Sequence, residues 1–218
     1  MVGHSALTRV SEGSTPSGDT MANARNKAVW DTHSVQLLNQ IGTSPADHIN
    51  TPQIAKWVRN LDCSTVLDFG CGVGVFSYLF HNLKYVGCDQ NEEMIRTARS
   101  KWPDKYFILH DWSSLPFSDG TFDLAFTRAV IMHNSNEDKE ELLPEFVRVI
   151  KPGGYYISSE ATFTEEVWEK RFPGQPFDSN YTDGFTFTKD GWMSLFSEFG
   201  LTLVEYVAPK LYLYQKTK

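Results

Sequence analysis

The chain has 218 residues, 41% of them hydrophobic, with a formal net charge of −7 and an isoelectric point near 5.3. That length supports one domain burying roughly 70% of its unfolded-state surface. The acidic balance argues against a broad phosphate-neutralising face, so the expected partners are small molecules or proteins, not nucleic acid.

Cys63, Cys71 and Cys88 are odd in number and lack C-x-x-C spacing, which points away from a disulfide framework or a zinc site and toward reduced thiols in a cytoplasmic protein. No apolar run approaches the roughly 20 residues of a membrane span, and the first residues lack a basic stretch followed by an apolar one. A protein that does not engage membranes, monomeric or weakly homodimeric, is expected.

The first twenty residues are small, polar and without period, a composition that cannot offset its own ordering entropy. They predict a disordered tail over residues 1–25, ahead of a single domain over residues 26–218. Gly13-Ser14-Thr15-Pro16 is also what the T-arm consensus of a transfer RNA gene, GGTTCGANTCC, encodes in one frame when N is C. A second reading therefore makes Met21 the start. Asn26 to Gln40 and Thr51 to Leu61 read as helices, the latter with Thr51 as N-cap and Pro52 in its first turn.

From there helical and strand signals alternate. Thr65 to Phe69 is a short buried strand, Val73 to Phe80 a helix, and Lys84 to Cys88 a second strand. Asn91 to Lys101 is helical, with Glu92 and Glu93 at its positive end and Arg96, Arg99 and Lys101 toward its negative end. Tyr106 to Leu109 and Phe122 to Thr127 follow as strands, separated by a Ser118-Asp119-Gly120 turn. Leu142, Leu143, Phe146, Val147 and Ile150 recur at helical spacing, with Pro144 expected to kink or restart the helix and Lys151-Pro152-Gly153-Gly154 to close it.

Tyr155 to Ser159 is the fifth strand, and Trp192, Leu195, Phe196 and Phe199 mark a last helix capped by Gly200. The final LTLVEYVAPKLYLYQ reads as a hairpin turning at Ala208-Pro209. The pattern predicts an α/β, doubly wound, Rossmann-like sheet of seven strands, mostly parallel with a C-terminal antiparallel hairpin and helices on both faces. Between the fifth strand and the last helix, residues 161–187 are long and rich in aromatics, and they are expected to cap an acceptor pocket.

The stretch Val66-Leu67-Asp68-Phe69-Gly70-Cys71-Gly72-Val73-Gly74 carries the most chemistry. A dinucleotide turn wants Gly-x-Gly-x-x-Gly, but position 75 is Val75 and the third glycine comes one place early. Asp68, two residues before the first glycine, sits badly beside a pyrophosphate and suits a cationic amine.

In this ordered set the chain resembles the class I S-adenosylmethionine-dependent methyltransferases. The likeness continues through Gly87-Cys88-Asp89, His110-Asp111-Trp112, Phe122-Asp123-Leu124 and Lys151-Pro152-Gly153-Gly154. It implies S-adenosylmethionine as cofactor, with Asp68, Gly70, Cys71, Gly72 and Gly74 forming the loop around its methionine part. Gly70 and Gly72 would let the main chain approach without a Cβ. Asp89 would accept from both ribose hydroxyls, Gln90 and Met94 would line the adenine, Asp111 would accept from the adenine amino group and Trp112 would offer its N–H. Cys71 reads as a small loop filler, and Thr127 as a candidate contact to the methionine part.

His133, in Phe126-Thr127-Arg128-Ala129-Val130-Ile131-Met132-His133-Asn134, falls where related small-molecule methyltransferases often show a histidine. Catalysis or acceptor contact is one role for it and structure the other. The implied reaction is in-line displacement on a small-molecule acceptor, a metabolite or sugar, with no metal required. An NAD-dependent oxidoreductase, a polyamine synthase and a non-enzymatic cofactor-sensing module remain alternatives.

Overall fold

The computed structural model describes residues 50–110, 112, 114–134, 136–160 and 188–218. The expected tail, the helix over residues 26–40, the cap over residues 161–187 and Asp111 lie outside them. The described residues form helix α1 (Thr51–Asn60), strands β1 (Thr65–Phe69) and β2 (Lys84–Asp89), helix α2 (Glu92–Lys101), and strands β3 (Tyr106–Leu109) and β4 (Phe122–Arg128). Helix α3 (Asn136–Arg148), strand β5 (Ile150–Ser159), helix α4 (Lys189–Glu198) and strands β6 (Leu201–Val207) and β7 (Leu211–Lys216) complete them.

One seven-stranded sheet runs in the order β3-β2-β1-β4-β5-β7-β6. Pairing is parallel from β3 through β5, and antiparallel where β7 joins β5 and β6. The doubly wound sheet with a closing hairpin is thus as expected. Beyond β1 the chain first builds leftward through β2 and β3, then crosses back to β4, so the sheet reverses direction between β1 and β4. Open sheets of this kind hold ligands at such a reversal, beyond the carboxyl ends of the strands.

Both faces of the sheet are covered. On one, Val66, Tyr85, Phe107, Leu124 and Phe126 pack with Ile54 and Trp57 of α1 and Ile95 and Ala98 of α2. On the other, Leu67, Phe69, Phe122 and Tyr156 pack with Leu142 and Phe146 of α3 and Trp192 and Phe196 of α4. Strands buried on two faces read as continuous apolar runs, which is why β1 lacks alternation. Among the described residues no helix is long and apolar enough to cross a membrane.

Four local expectations change. The N-cap position of α1 is Asn50, one residue before Thr51, and the Asn50 side chain makes no capping bond. The segment after the glycines is a single 3-10 turn, Ser77–Phe80, because Gly74 at φ +71° cannot belong to a right-handed α-helix. Pro144 neither restarts nor ends α3, since Leu142, Leu143, Phe146 and Val147 are buried on the sheet and hold the helix through it. The Lys151-Gly154 segment lies inside β5, where the register against β4 jumps from Phe122↔Ile150 to Leu124↔Tyr155.

At the amino ends of β1 and β4, Asp123 ties three segments together. Its Oδ2 accepts from the N–H and hydroxyl of both Ser64 and Thr65 at 2.8–3.0 Å, and its Oδ1 accepts from Lys151 Nζ at 2.6 Å. Burial opposes ionisation, but these donors hold the carboxyl well below the usual carboxylate range. Asp123→Ala is expected to cost on the order of 3 kcal/mol in urea unfolding near pH 7. A group with a depressed folded pKa stabilises above its unfolded pKa and loses that contribution as pH falls. The gap between wild type and variant should therefore narrow below about pH 4.

Candidate functional site

The turn leaving β1 is bonded across to β2: the N–H groups of Gly70 and Cys71 both donate to the Cys88 carbonyl, at 2.8 and 3.0 Å. Its three glycines all have positive φ, yet their surroundings differ. A Cβ on Gly70 would come within 2.3 Å of Val130 Cγ2, and one on Gly74 within 2.8 Å of the Phe107 ring. A Cβ on Gly72 would meet no atom of the described residues within 4 Å. Gly70 and Gly74 are therefore bare because neighbouring side chains press on them. Gly72 is bare beside open space, which is what a main chain approached by a ligand requires.

Asp89 closes the other side of this cradle. Its Oδ2 accepts from the Gly72 N–H at 2.8 Å and its Oδ1 from the Asn91 N–H at 2.9 Å, and the carboxylate keeps acceptor capacity for a further donor. Burial pushes its pKa up, while the N–H groups of Asn91, Gly72 and Gln90 pull it back. Asn91 caps α2 by accepting from the Met94 N–H at 2.9 Å, so one short stretch orients Asp89, half-buried Gln90 and buried Met94 together.

Asp68 is buried beneath the turn, where its Oδ2 accepts from the Tyr85 hydroxyl at 2.6 Å. Burial pushes its carboxyl up to about 7, the Tyr85 bond works the other way, and the Asp89 charge adds to the rise. Such a carboxylate is short of positive charge. Cys71 is buried too, and burial with the charges of Asp68 and Asp89 pushes its thiol well above its ordinary value. A thiol held neutral is a filler of the loop and no nucleophile.

Across the sheet reversal, a carboxylate that sequence reasoning missed organises the loop after β4. Glu160, fully buried just past β5, accepts from the Thr127 hydroxyl at 2.7 Å and from the N–H groups of Val130 and Met132 at 3.1–3.2 Å. Thr127 is wholly buried and shares a second bond with the Tyr156 hydroxyl at 2.8 Å, so its hydroxyl faces this network. Glu160 thereby fixes the backbone of the 3-10 turn Ile131–His133, and His133 stands half-buried at its end. A lone acid ending an apolar strand carries no sequence signal, because its partners are main-chain N–H groups 28 and 30 residues away.

Among the described residues two non-glycine residues adopt left-handed backbone, Ala129 at φ +53° and Trp112 at φ +59°, and both lie in loops at the carboxyl ends of strands. Strain of this kind persists where the surroundings over-determine it. For Trp112 the surroundings include the Phe69 ring, 4.1 Å away between centroids.

The different surroundings of the glycines lead to costs of different size for the same substitution. Gly70→Ala should destabilise by about 3 kcal/mol, from overpacking on Val130 added to left-handed strain. Gly72→Ala should cost only about 1 kcal/mol, the strain alone. Urea unfolding of the two variants side by side measures the difference.

Comparison with known proteins sets this geometry in a family. Residues 67–158 match the profile described as a methyltransferase domain. A tRNA (carboxymethyluridine(34)-5-O)-methyltransferase of Arabidopsis thaliana is 31% identical over 130 residues, which is 56% of this chain and 32% of that protein. A demethylmenaquinone methyltransferase of Renibacterium salmoninarum is 38% identical over 97 residues, 44% of this chain and 40% of that one. The chain therefore spans about a third to two fifths of the length of these relatives. The magnesium protoporphyrin IX methyltransferase of Synechocystis, solved with bound S-adenosylhomocysteine, shares the fold at a TM-score of 0.68, with 16% identity, 89% of this chain and 99% of that chain covered. Strand order, glycine turn and profile coincide on one stretch: residues 67–158 carry the likeness to a methyltransferase domain, on a fold shared with solved S-adenosylmethionine-dependent methyltransferases.

Proposed function

We propose that the protein transfers a methyl group from S-adenosylmethionine to a small-molecule acceptor, a metabolite or a sugar. The observation that carries the reading is the cradle in which Asp89 holds the N–H of Gly72 while the space beside Gly72 stays open. In this reading Asp89 uses its remaining lone pairs for the ribose hydroxyls, Gln90 and Met94 line the adenine, Asp111 accepts from the adenine amino group and Trp112 offers its N–H. Asp68, short of positive charge in its buried place, faces the methionine amine. Cys71, Gly72 and Gly74 shape the loop around the methionine part, and Thr127 acts through Glu160.

When bound, S-adenosylmethionine supplies a methyl group on a positively charged sulfur, already activated for displacement. The chain's own residues then orient the acceptor, exclude water and take a proton from the acceptor atom where it carries one. His133, held on the turn that Glu160 fixes, is the candidate base. The small acceptor is supported by the net charge of −7, which disfavours a phosphate-tracking surface, and by the likeness to a quinone-methylating relative. The likeness to a tRNA methyltransferase favours a second reading, with tRNA as acceptor.

Incubation with methyl-labelled S-adenosylmethionine and either a metabolite extract or total tRNA separates the readings. Protein-dependent label in the metabolite fraction is expected. Label confined to RNA would replace the small acceptor by tRNA, and no label in either would remove the transferase reading. Asp89→Ala should weaken S-adenosylmethionine binding at least tenfold by calorimetry, through the loss of two charge-assisted bonds. His133→Gln should leave that affinity within about twofold while slowing transfer by a hundredfold or more.

A further inference from the structure

The turn after β4 is held at both ends by ionisable side chains that are themselves buried. At its start, fully buried Glu160 accepts from the N–H groups of Val130 and Met132. At its end, Lys139 donates from Nζ to the Asn134 carbonyl at 2.7 Å, and this lysine is only 1% exposed. Between them the turn closes on itself, the Val130 carbonyl accepting from the His133 N–H at 3.1 Å and from Asn134 Nδ2 at 2.7 Å. The chain enters it through the left-handed Ala129.

Lys139 is the residue that packing does not explain. It stands in the opening turn of α3, where the helix macrodipole disfavours a cation. Lysine is among the side chains least often buried, and an apolar residue in such a place packs as well or better. The same helix shows as much with Leu142 and Leu143, which are buried and wholly apolar. Glu160 poses the same question on the other side. Burial pushes its carboxyl up, and its bonds to Thr127 and to main-chain N–H groups work the other way. Its charge also acts on Arg128 at the end of β4.

What the two burials secure is one short piece of backbone. On it Ile131 points into the core, whereas Met132 and His133 are only half-buried. The pair therefore fixes the direction in which Met132 and His133 leave the main chain. A group that takes a proton from a bound acceptor depends on such a constraint, since a misplacement of about 1 Å can cost on the order of a hundredfold in rate.

We propose that Lys139 and Glu160 are positioning residues for methyl transfer: holding the two ends of the turn over residues 130–134, they keep the His133 imidazole in one orientation toward the acceptor. The proposal rests on the reading in which His133 is the base. Both residues act through His133 and not by contact with the acceptor.

Nuclear magnetic resonance of the full chain with nitrogen-labelled histidines tests it, His133→Gln identifying the His133 signal by its loss. With saturating S-adenosylhomocysteine the unaltered chain should give one narrow His133 imidazole signal and slow hydrogen exchange at the Val130 and Met132 amides. Lys139→Met should split or broaden that signal and leave S-adenosylhomocysteine affinity within threefold by calorimetry. The same variant should slow label transfer at least tenfold, into whichever fraction, metabolite or tRNA, takes label from the unaltered chain. Glu160→Gln should disturb the His133 signal in the same way. An unchanged His133 signal in Lys139→Met, label transfer at the full rate, or an equal loss of transfer and cofactor affinity overturns the positioning role. Should Lys139→Met fail to fold, the unaltered chain still decides, because Val130 and Met132 amides that exchange as fast as an open loop overturn it. If the unaltered chain transfers no label at all, the transferase reading falls and takes this role with it, whereas full-rate transfer by Lys139→Met removes the positioning role alone.

Discussion

Parallel pairing of β1 with β2 on one edge and with β4 on the other is the constraint on which the site depends. Parallel neighbours cannot be joined by tight turns, so each connection must cross a face of the sheet, and those on the two sides of β1 cross opposite faces. The carboxyl ends of β1 and β4 are thereby left uncovered between diverging connections. Among the described residues, the glycine turn and Asp89 lie on one side of that gap, and Glu160 and His133 on the other.

Four carboxylates show how the same group is turned to different ends by its donors. Asp123 has five donor groups from Ser64, Thr65 and Lys151 and is held ionised as a clamp at the amino ends of the strands. Glu160 has a hydroxyl and main-chain N–H groups, enough to shape a loop. Asp89 has the N–H groups of Gly72, Asn91 and Gln90. Asp68 has one phenol, so burial dominates and its carboxyl rises to about 7. The first two are saturated. In Asp89 and Asp68, as in Glu160, burial is the largest influence and pushes the carboxyl up.

The two turns are also mechanically linked. Val130 presses against Gly70 through its side chain while its N–H is held by Glu160, so the turn after β4 packs on the turn after β1. The left-handed Ala129 sits at the start of that contact. A change in the Glu160 network would therefore be felt at the glycine turn. The fit of the two loops explains why Gly70 tolerates no Cβ even though it is not the glycine facing open space.

Much of this was legible in the sequence because it is local. The Asp68 to Gly74 stretch announces a strand running into a turn of positive φ, the charge order over residues 91–101 directs α2, and Asp89 follows from its place at the end of an apolar strand. Apolar period and turn residues were enough for the sheet, its seven strands and its closing hairpin. What the sequence could not determine is which glycine borders empty space, where the Thr127 hydroxyl points, that Asn50 and not Thr51 holds the N-cap position, and that α3 runs through Pro144. Backbone preference and burial are set by a few neighbours along the chain. The Glu160 network and the openness beside Gly72 are set by strand pairing and packing between distant segments, so only the tertiary structure decides them.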